Sequence, residues 1–322
     1  MNAAAPADAK SGPELRPDAQ FTRALTPACL SRLERAYKKQ WKRYRKKLKG
    51  CQERFSAEAI HDFRIEARRL LSVAELESGF VPRALLRKVE RAVKRHLDTF
   101  DDLRDTHVQM ALVEKMQRRF AGAVPFYEYL CRREKRLVRS TGKDIKRARI
   151  RRLGKLLTAW RAEVKARRSN CSRERTAALL LRAVDRAFAV ACRRRARIKP
   201  RATTTIHRTR IAFKKFRYML ETLAGQVAAP RSKLLRAMRD YQTMMGDIQD
   251  AEVVQDALLK FERKHPREAE ALEQLRGALL LRRERLIAAY LDAADELFRF
   301  WPPAQERAAD HAAPPANTKP SP

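Results

Sequence analysis

Between Ile206 and Leu223 the apolar residues Ala212, Phe213, Phe216, Met219, Leu220 and Leu223 recur at three- and four-residue spacing. That is the stripe of a helix packed against a core. On its other side, at about 100° per residue, His207, Arg210, Lys214, Arg217 and Glu221 fall within an arc of about 80°. The pattern predicts a buried helix holding basic groups in one row. A second copy stands 146 residues earlier as His61-Asp62-Phe63-Arg64-Ile65-Glu66-Ala67-Arg68-Arg69. Arg64 matches Arg210, Arg68 matches Lys214, Arg69 matches Lys215 and Glu75 matches Glu221. Two copies at matching depth point to an internal duplication.

Helical periodicity continues through the chain. Thr26-Pro27 predicts a helix start, and the helix runs to Lys49 before Gly50. Ser56 opens the first histidine helix, which ends near Gly79; Pro82 opens a third, to about Phe100. The segment 100–108 is expected to turn the chain into a fourth helix ending near Gly122, followed by helices at about 125–143 and 144–168. Ser169-Asn170 marks a seam. The second half replays the order: a basic helix at 173–196, a break at Pro200, Thr203-Thr204-Thr205 capping the second histidine helix, and Pro230 opening the next. The segment 245–253 is placed opposite 100–108 as a turn, and a last helix runs from about 267 to 300. Asp105 and Asp250 are read as caps at those turns, with Gly246 serving the turn itself.

The expected fold is all-α: two pseudo-symmetric antiparallel four-helix bundles, one per half (about 25–168 and 169–300), with extra connecting and closing helices. Residues 1–20 and 301–322, rich in Ala and Pro, are expected to be disordered tails. Only nine glycines and no strand-like alternation agree with the all-α reading.

Charge changes the picture most. The 73 lysines and arginines against 38 acidic residues leave a net charge of +35, which repels itself on folding and attracts polyanions. Five cysteines (Cys29, Cys51, Cys131, Cys171, Cys192) without a C-x-x-C pair are expected to be reduced thiols of a cytoplasmic protein. Neither a secretory signal nor a transmembrane run is expected.

The two histidine motifs, with Leu103-Arg104-Asp105 and Met245-Gly246-Asp247-Ile248-Gln249-Asp250, resemble the conserved histidine α-helical domain, the CHAD family, over about residues 25–300. The resemblance implies two helical bundles and a basic, histidine-containing channel or surface that binds inorganic polyphosphate, with residence on polyphosphate granules as a further expectation. His61, Arg64, Arg68, Arg69, His207, Arg210, Lys214, Lys215 and Arg217 are the residues it points to, and Lys38, Lys42 and Arg45 of the first helix join them as candidates. Two departures stand out: Leu71 replaces the arginine that the second copy has at Arg217, and Asp101 stands where glycine is expected.

These residue types suit that ligand. Polyphosphate has no base or sugar to read, so a receptor needs a row of fixed donors. Arginine offers a bidentate fork and lysine a compact charge, and near a polyanion the histidines should gain protons. Glu75 and Glu221 are expected to orient arginines by ion pairing.

Three rival readings compete with this one. Non-specific RNA or DNA binding at low salt follows from the charge alone, yet stacking platforms are not evident. His61-Asp62 invites a metal-dependent phosphohydrolase, but the second copy has Arg208 in place of the aspartate, and the row is cationic where a metal needs carboxylates. No catalytic residue, metal ligand set or cofactor motif is therefore assigned. Scaffolding on granules is compatible with binding. Oligomeric state has no signature in the sequence.

Overall fold

The computed structural model describes residues 27–146, 150–227 and 232–301. Those residues form ten α-helices: α1 (Pro27–Arg54), α2 (Ala57–Leu76), α3 (Arg83–Asp98), α4 (Asp101–Gln117), α5 (Ala123–Lys146), α6 (Ile150–Ser169), α7 (Arg173–Arg195), α8 (Thr203–Val227), α9 (Ser232–Lys264) and α10 (Glu273–Ala293). Among the described residues there is no strand, only one isolated bridge between Lys199 and Ala202. The fold is all-α. The tails at 1–20 and 302–322, the Thr26 cap and the Pro230 helix start lie outside the described residues.

Local chemistry sets several boundaries. The Ser56 hydroxyl accepts the Ala59 N–H at 3.2 Å to open α2, and Ser172 accepts the Arg175 N–H at 3.2 Å to open α7. Glu58 and Glu174 sit in those first turns, where the helix dipole favours an anion. At the other end of the α1–α2 turn, Phe55 adopts φ 51°. A bulky residue rarely takes that conformation. Its ring packs on the core beside Gly142, and that burial offsets the local cost.

Three expected breaks differ. α1 runs through Gly50 to Arg54. α9 is one uninterrupted helix of 33 residues, so the turn expected at 245–253 does not exist. Met238, Tyr241, Met245, Ile248, Ala251, Val254, Leu258 and Phe261 are all buried at three- and four-residue spacing, and one Gly246 does not outweigh that continuous stripe. The last helix, expected at 267–300, is divided instead: a 3-10 turn at Pro266–Glu268, then α10, then a 3-10 turn at Ala294–Arg299. Trp301, assigned to the tail, belongs to the folded body and donates its indole N–H to Asp185 at 2.7 Å.

The apolar side chains gather into two clusters, and neither is one half of the sequence. The larger joins α1, α2, α3 and α6 to α7, α8, the first half of α9 and the end of α10. Its centre includes Trp160, Tyr44, Phe63, Phe213 and Phe216, all fully buried and each contributing about 1.5–3 kcal/mol by leaving water. The smaller joins Val113 of α4 and Phe126 and Leu130 of α5 to Val254, Leu258 and Phe261 of α9 and Leu275 and Leu279 of α10. The seam expected at 169 therefore does not separate two cores. Gly122 shows how tightly the smaller cluster is closed: a Cβ there would stand 2.0 Å from the Ala271 carbonyl oxygen.

α9 crosses from the larger cluster, which ends at Ile248, to the smaller, which begins at Val254. Polar residues gather at that junction.

Candidate anion-binding site

α2 and α8, the two motif helices, pack against each other, and α8 and α4 both pack on α9. The rows read from the sequence thereby meet: Arg64 and Arg68 from α2, Arg210 and Lys214 from α8, with His61 near Arg104, Lys214 and Arg64, and His207 near Arg210 and Arg68. α4 adds Arg104, and α9 adds Gly246, Gln249 and Asp250.

Each base is held differently. Arg64 donates to the Leu97 carbonyl oxygen at the C-terminus of α3, at 3.2 Å, and pairs with Asp101 at the start of α4. The Arg210 guanidinium lies over the bare backbone of Gly246, where a Cβ would stand 3.6 Å from both Nε and Nη2. Its Nε is buried without a hydrogen-bond partner, as is Nδ1 of His207. The His207 ring is hydrogen-bonded by the Gln249 side chain. Neither Arg68 nor Lys214 makes an ion pair among the described residues.

The electrostatics follow from crowding like charges at a poorly hydrated junction. Burial, then the neighbouring Arg68, Arg210, Arg64 and Arg217, hold the Lys214 ammonium down to about 6. Burial, with Arg64 and Arg210 beside it, lowers Arg68 to about 10. His61 is lowered by burial and then by Arg104, and His207 by burial and then by Arg210. Arg104 and Arg210 are lowered mainly by burial, with Asp250 opposing. Asp105 and Asp250 are raised, burial leading in both. The site holds more cation than its own carboxylates offset.

Several sequence-assigned residues point elsewhere, for one recurrent reason. Neighbouring positions on a helix diverge by about 100°, so only one residue of each basic doublet can face the junction. Arg68 and Lys214 do. Arg69 turns instead to Glu66 at 3.0 Å, and Lys215 turns to Glu75 at 2.5 Å on the far side of α8. Glu75 thus pairs with a lysine, whereas Glu221 pairs with an arginine as expected. Arg217 is 6% exposed. Its Nε donates to Gln242 at 2.9 Å, its Nη1 pairs with Glu221, and its guanidinium lies 4.5 Å from the centre of the Tyr218 ring. It backs the cluster without reaching its surface.

Lys38, Lys42 and Arg45 lie on the outward face of α1, opposite the buried Leu33, Tyr37, Tyr44, Leu48 and Cys51. They are not part of the junction. Asp62 bonds Lys47 of α1 at 2.5 Å. Asp105 and Asp250 cap no turn; both sit inside continuous helices, with arginines among the charges around them. Sequence reasoning misses Arg104 as a base of the junction, although it stands between the Leu103 and Asp105 that carry the resemblance. Gln242 and Gln249 carry no charge signal, and only the crossing of α9 beneath α8 exposes their roles.

The sequence profile of the CHAD domain matches residues 35–259, well over half of the chain and both motif helices. A search of curated proteins found no match. Among solved structures, the crystal structure of the CHAD domain from the plant Ricinus communis superposes with a TM-score of 0.58 at 22% identity, covering 86% of this chain and 93% of that one. At that identity the likeness is one of fold.

Proposed function

The chain belongs to the CHAD family, and we propose that it binds inorganic polyphosphate at the junction of α2, α4, α8 and α9, without turning it over. The observation that carries this reading is Lys214. It is an amine set among Arg64, Arg68, Arg210 and Arg217, an arrangement that costs stability in the free protein and is relieved by a multivalent anion. The unpartnered Nε of Arg210 and Nδ1 of His207 supply further hydrogen-bonding atoms for phosphate oxygens or bridging water. A continuous chain of phosphates is favoured over a single anion because the bases come from three helices and follow two rows. Binding alone is the proposed activity, because a row of cations supplies what an anionic polymer needs for affinity. Residence on polyphosphate granules follows from the same reading.

The test compares charge reversals within one doublet. Arg68→Glu should weaken binding of short-chain polyphosphate by at least about tenfold, the scale expected when a repulsion replaces a charge-assisted hydrogen bond. Arg69→Glu should change it by less than threefold. Equal weakening by the two variants, at about 150 mM salt where long-range charge is screened, would mean diffuse attraction and no shaped site.

A further inference from the structure

The five bases Arg35, Lys38, Lys42, Arg45 and Lys49 stand on the outward face of α1, the later four at three, seven, ten and fourteen residues from the first. The first three of those intervals repeat the spacing of His207, Arg210, Lys214 and Arg217. On α8 that spacing is folded into the junction; on α1 all five side chains are exposed. The row extends along about 21 Å of helix.

Its neutralisation is incomplete. Lys38 lies 3.4 Å from Glu34, but that carboxylate also takes Arg161 at 2.9 Å. Lys49 is 3.7 Å from Glu53. Arg35 and Lys42 have no ion pair among the described residues. Arg45 is the most fixed member: its guanidinium lies 5.5 Å from the centre of the Trp41 ring, and that ring meets α6 at Gly154, 3.7 Å from where a Cβ would be. The exposed Arg151 and Lys155 flank Gly154 and extend the charge onto α6.

We propose that this face is a second polyphosphate-binding surface, so that one protein holds two segments of polyphosphate and draws long chains together. The inference rests on the reading of the junction as a polyphosphate site. The occupant follows from charge complementarity: a straight row of bases fits an extended polyanion, and Trp41, the aromatic of this row, is already covered by Arg45 and offers no free ring for a base to stack on. Being exposed, the surface acts through screened charge and should be salt-sensitive, whereas the recessed junction should persist at higher salt. Two sites on one molecule turn binding into cross-linking once the polymer exceeds the span of one site.

The experiment uses the full chain, wild type and the variant Lys38→Glu/Lys42→Glu/Arg45→Glu, with a short polyphosphate and one of several hundred units. Short-chain affinity should agree within twofold between the two proteins, since the junction is untouched. With the long polymer, wild type should assemble into large light-scattering complexes at low salt, and the variant should lose at least about nine-tenths of that scattering. The slope of log affinity against log salt for the long polymer should fall by on the order of two, because three bases no longer neutralise phosphates. Equal scattering by both proteins overturns the second surface while leaving the junction intact. Failure of wild type to bind the short polymer overturns the junction reading and this proposal with it. If single-stranded RNA of matched charge assembles wild type at lower concentration than polyphosphate does, the face belongs to nucleic acid and the proposal falls.

Discussion

Binding of polyphosphate should draw a proton onto Lys214. The free protein holds this ammonium down to about 6, through burial and four surrounding arginines. At pH 7 it is then only about a tenth protonated. A phosphate chain laid against Arg68, Arg210 and Lys214 reverses the local potential and moves the group back towards its ordinary value of 10.5. Lys214 alone should therefore take up about 0.9 proton at pH 7. Because the group is proton-poor in the free state, affinity is full below about pH 6 and falls as pH rises towards the value in the complex. Within that window the loss approaches tenfold per pH unit, about 1.4 kcal/mol.

His61 and His207, also lowered in the free state, are moved the same way by the polyanion and add to the uptake beyond the lysine's share. The other groups facing Lys214 are Arg64, Arg68, Arg210, Arg217 and Asp250. Long polymer should be used, so that titration of chain ends does not contribute. The assay is calorimetry at pH 7 in buffers of different ionisation enthalpy, where the slope of observed enthalpy against buffer enthalpy counts protons. Lys214→Met should remove about 0.9 proton of the uptake at pH 7 and also raise the melting temperature of the free protein, by the equivalent of at least about 1 kcal/mol. A zero slope in wild type, with affinity flat from pH 6.5 to 8.5, would refute the reasoning.

Gly122→Ala should destabilise the protein by at least about 2 kcal/mol in denaturant melts, because the new methyl meets the Ala271 carbonyl oxygen at 2.0 Å and backbone must move on both sides. Gly246→Ala should instead be tolerated or stabilising by up to about 1 kcal/mol, since its methyl would sit at 3.6 Å from Arg210 and the helix gains propensity; Gly246→Leu should displace that guanidinium and weaken polyphosphate binding severalfold. Glu77 is buried with its carboxyl pushed up to about 7. The folded state holds its proton more tightly than the unfolded chain, so stability from this group falls as pH rises from about 4.5 to 7, and Glu77→Gln should raise the melting temperature at pH 8 but hardly at pH 4.5.

The all-α class, most helix starts and the two basic rows were determined by local order in the chain. Periodicity of 3.6 is a property of each segment alone, and Ser56 and Ser172 cap helices whatever those helices later pack against. The bases that became a site were decided by tertiary structure. A doublet such as Arg68-Arg69 or Lys214-Lys215 reads as two equivalent charges until the packing of α2 on α8 turns one inward and leaves the other to Glu66 or Glu75. Lys38, Lys42 and Arg45 carry the spacing of a binding row, but α1 spends its inner face on Tyr37, Tyr44 and Leu48 and has only the outer one left for charge. The continuity of α9 through Gly246, and the arrival of Arg104 and Gln249 at the junction, depend on neighbours on other helices: Arg210 for Gly246, His207 for Gln249 and Asp250 for Arg104. Side-chain direction on a helix is local, whereas the neighbour it meets is set by how the apolar stripes of ten helices satisfy one another in two shared clusters.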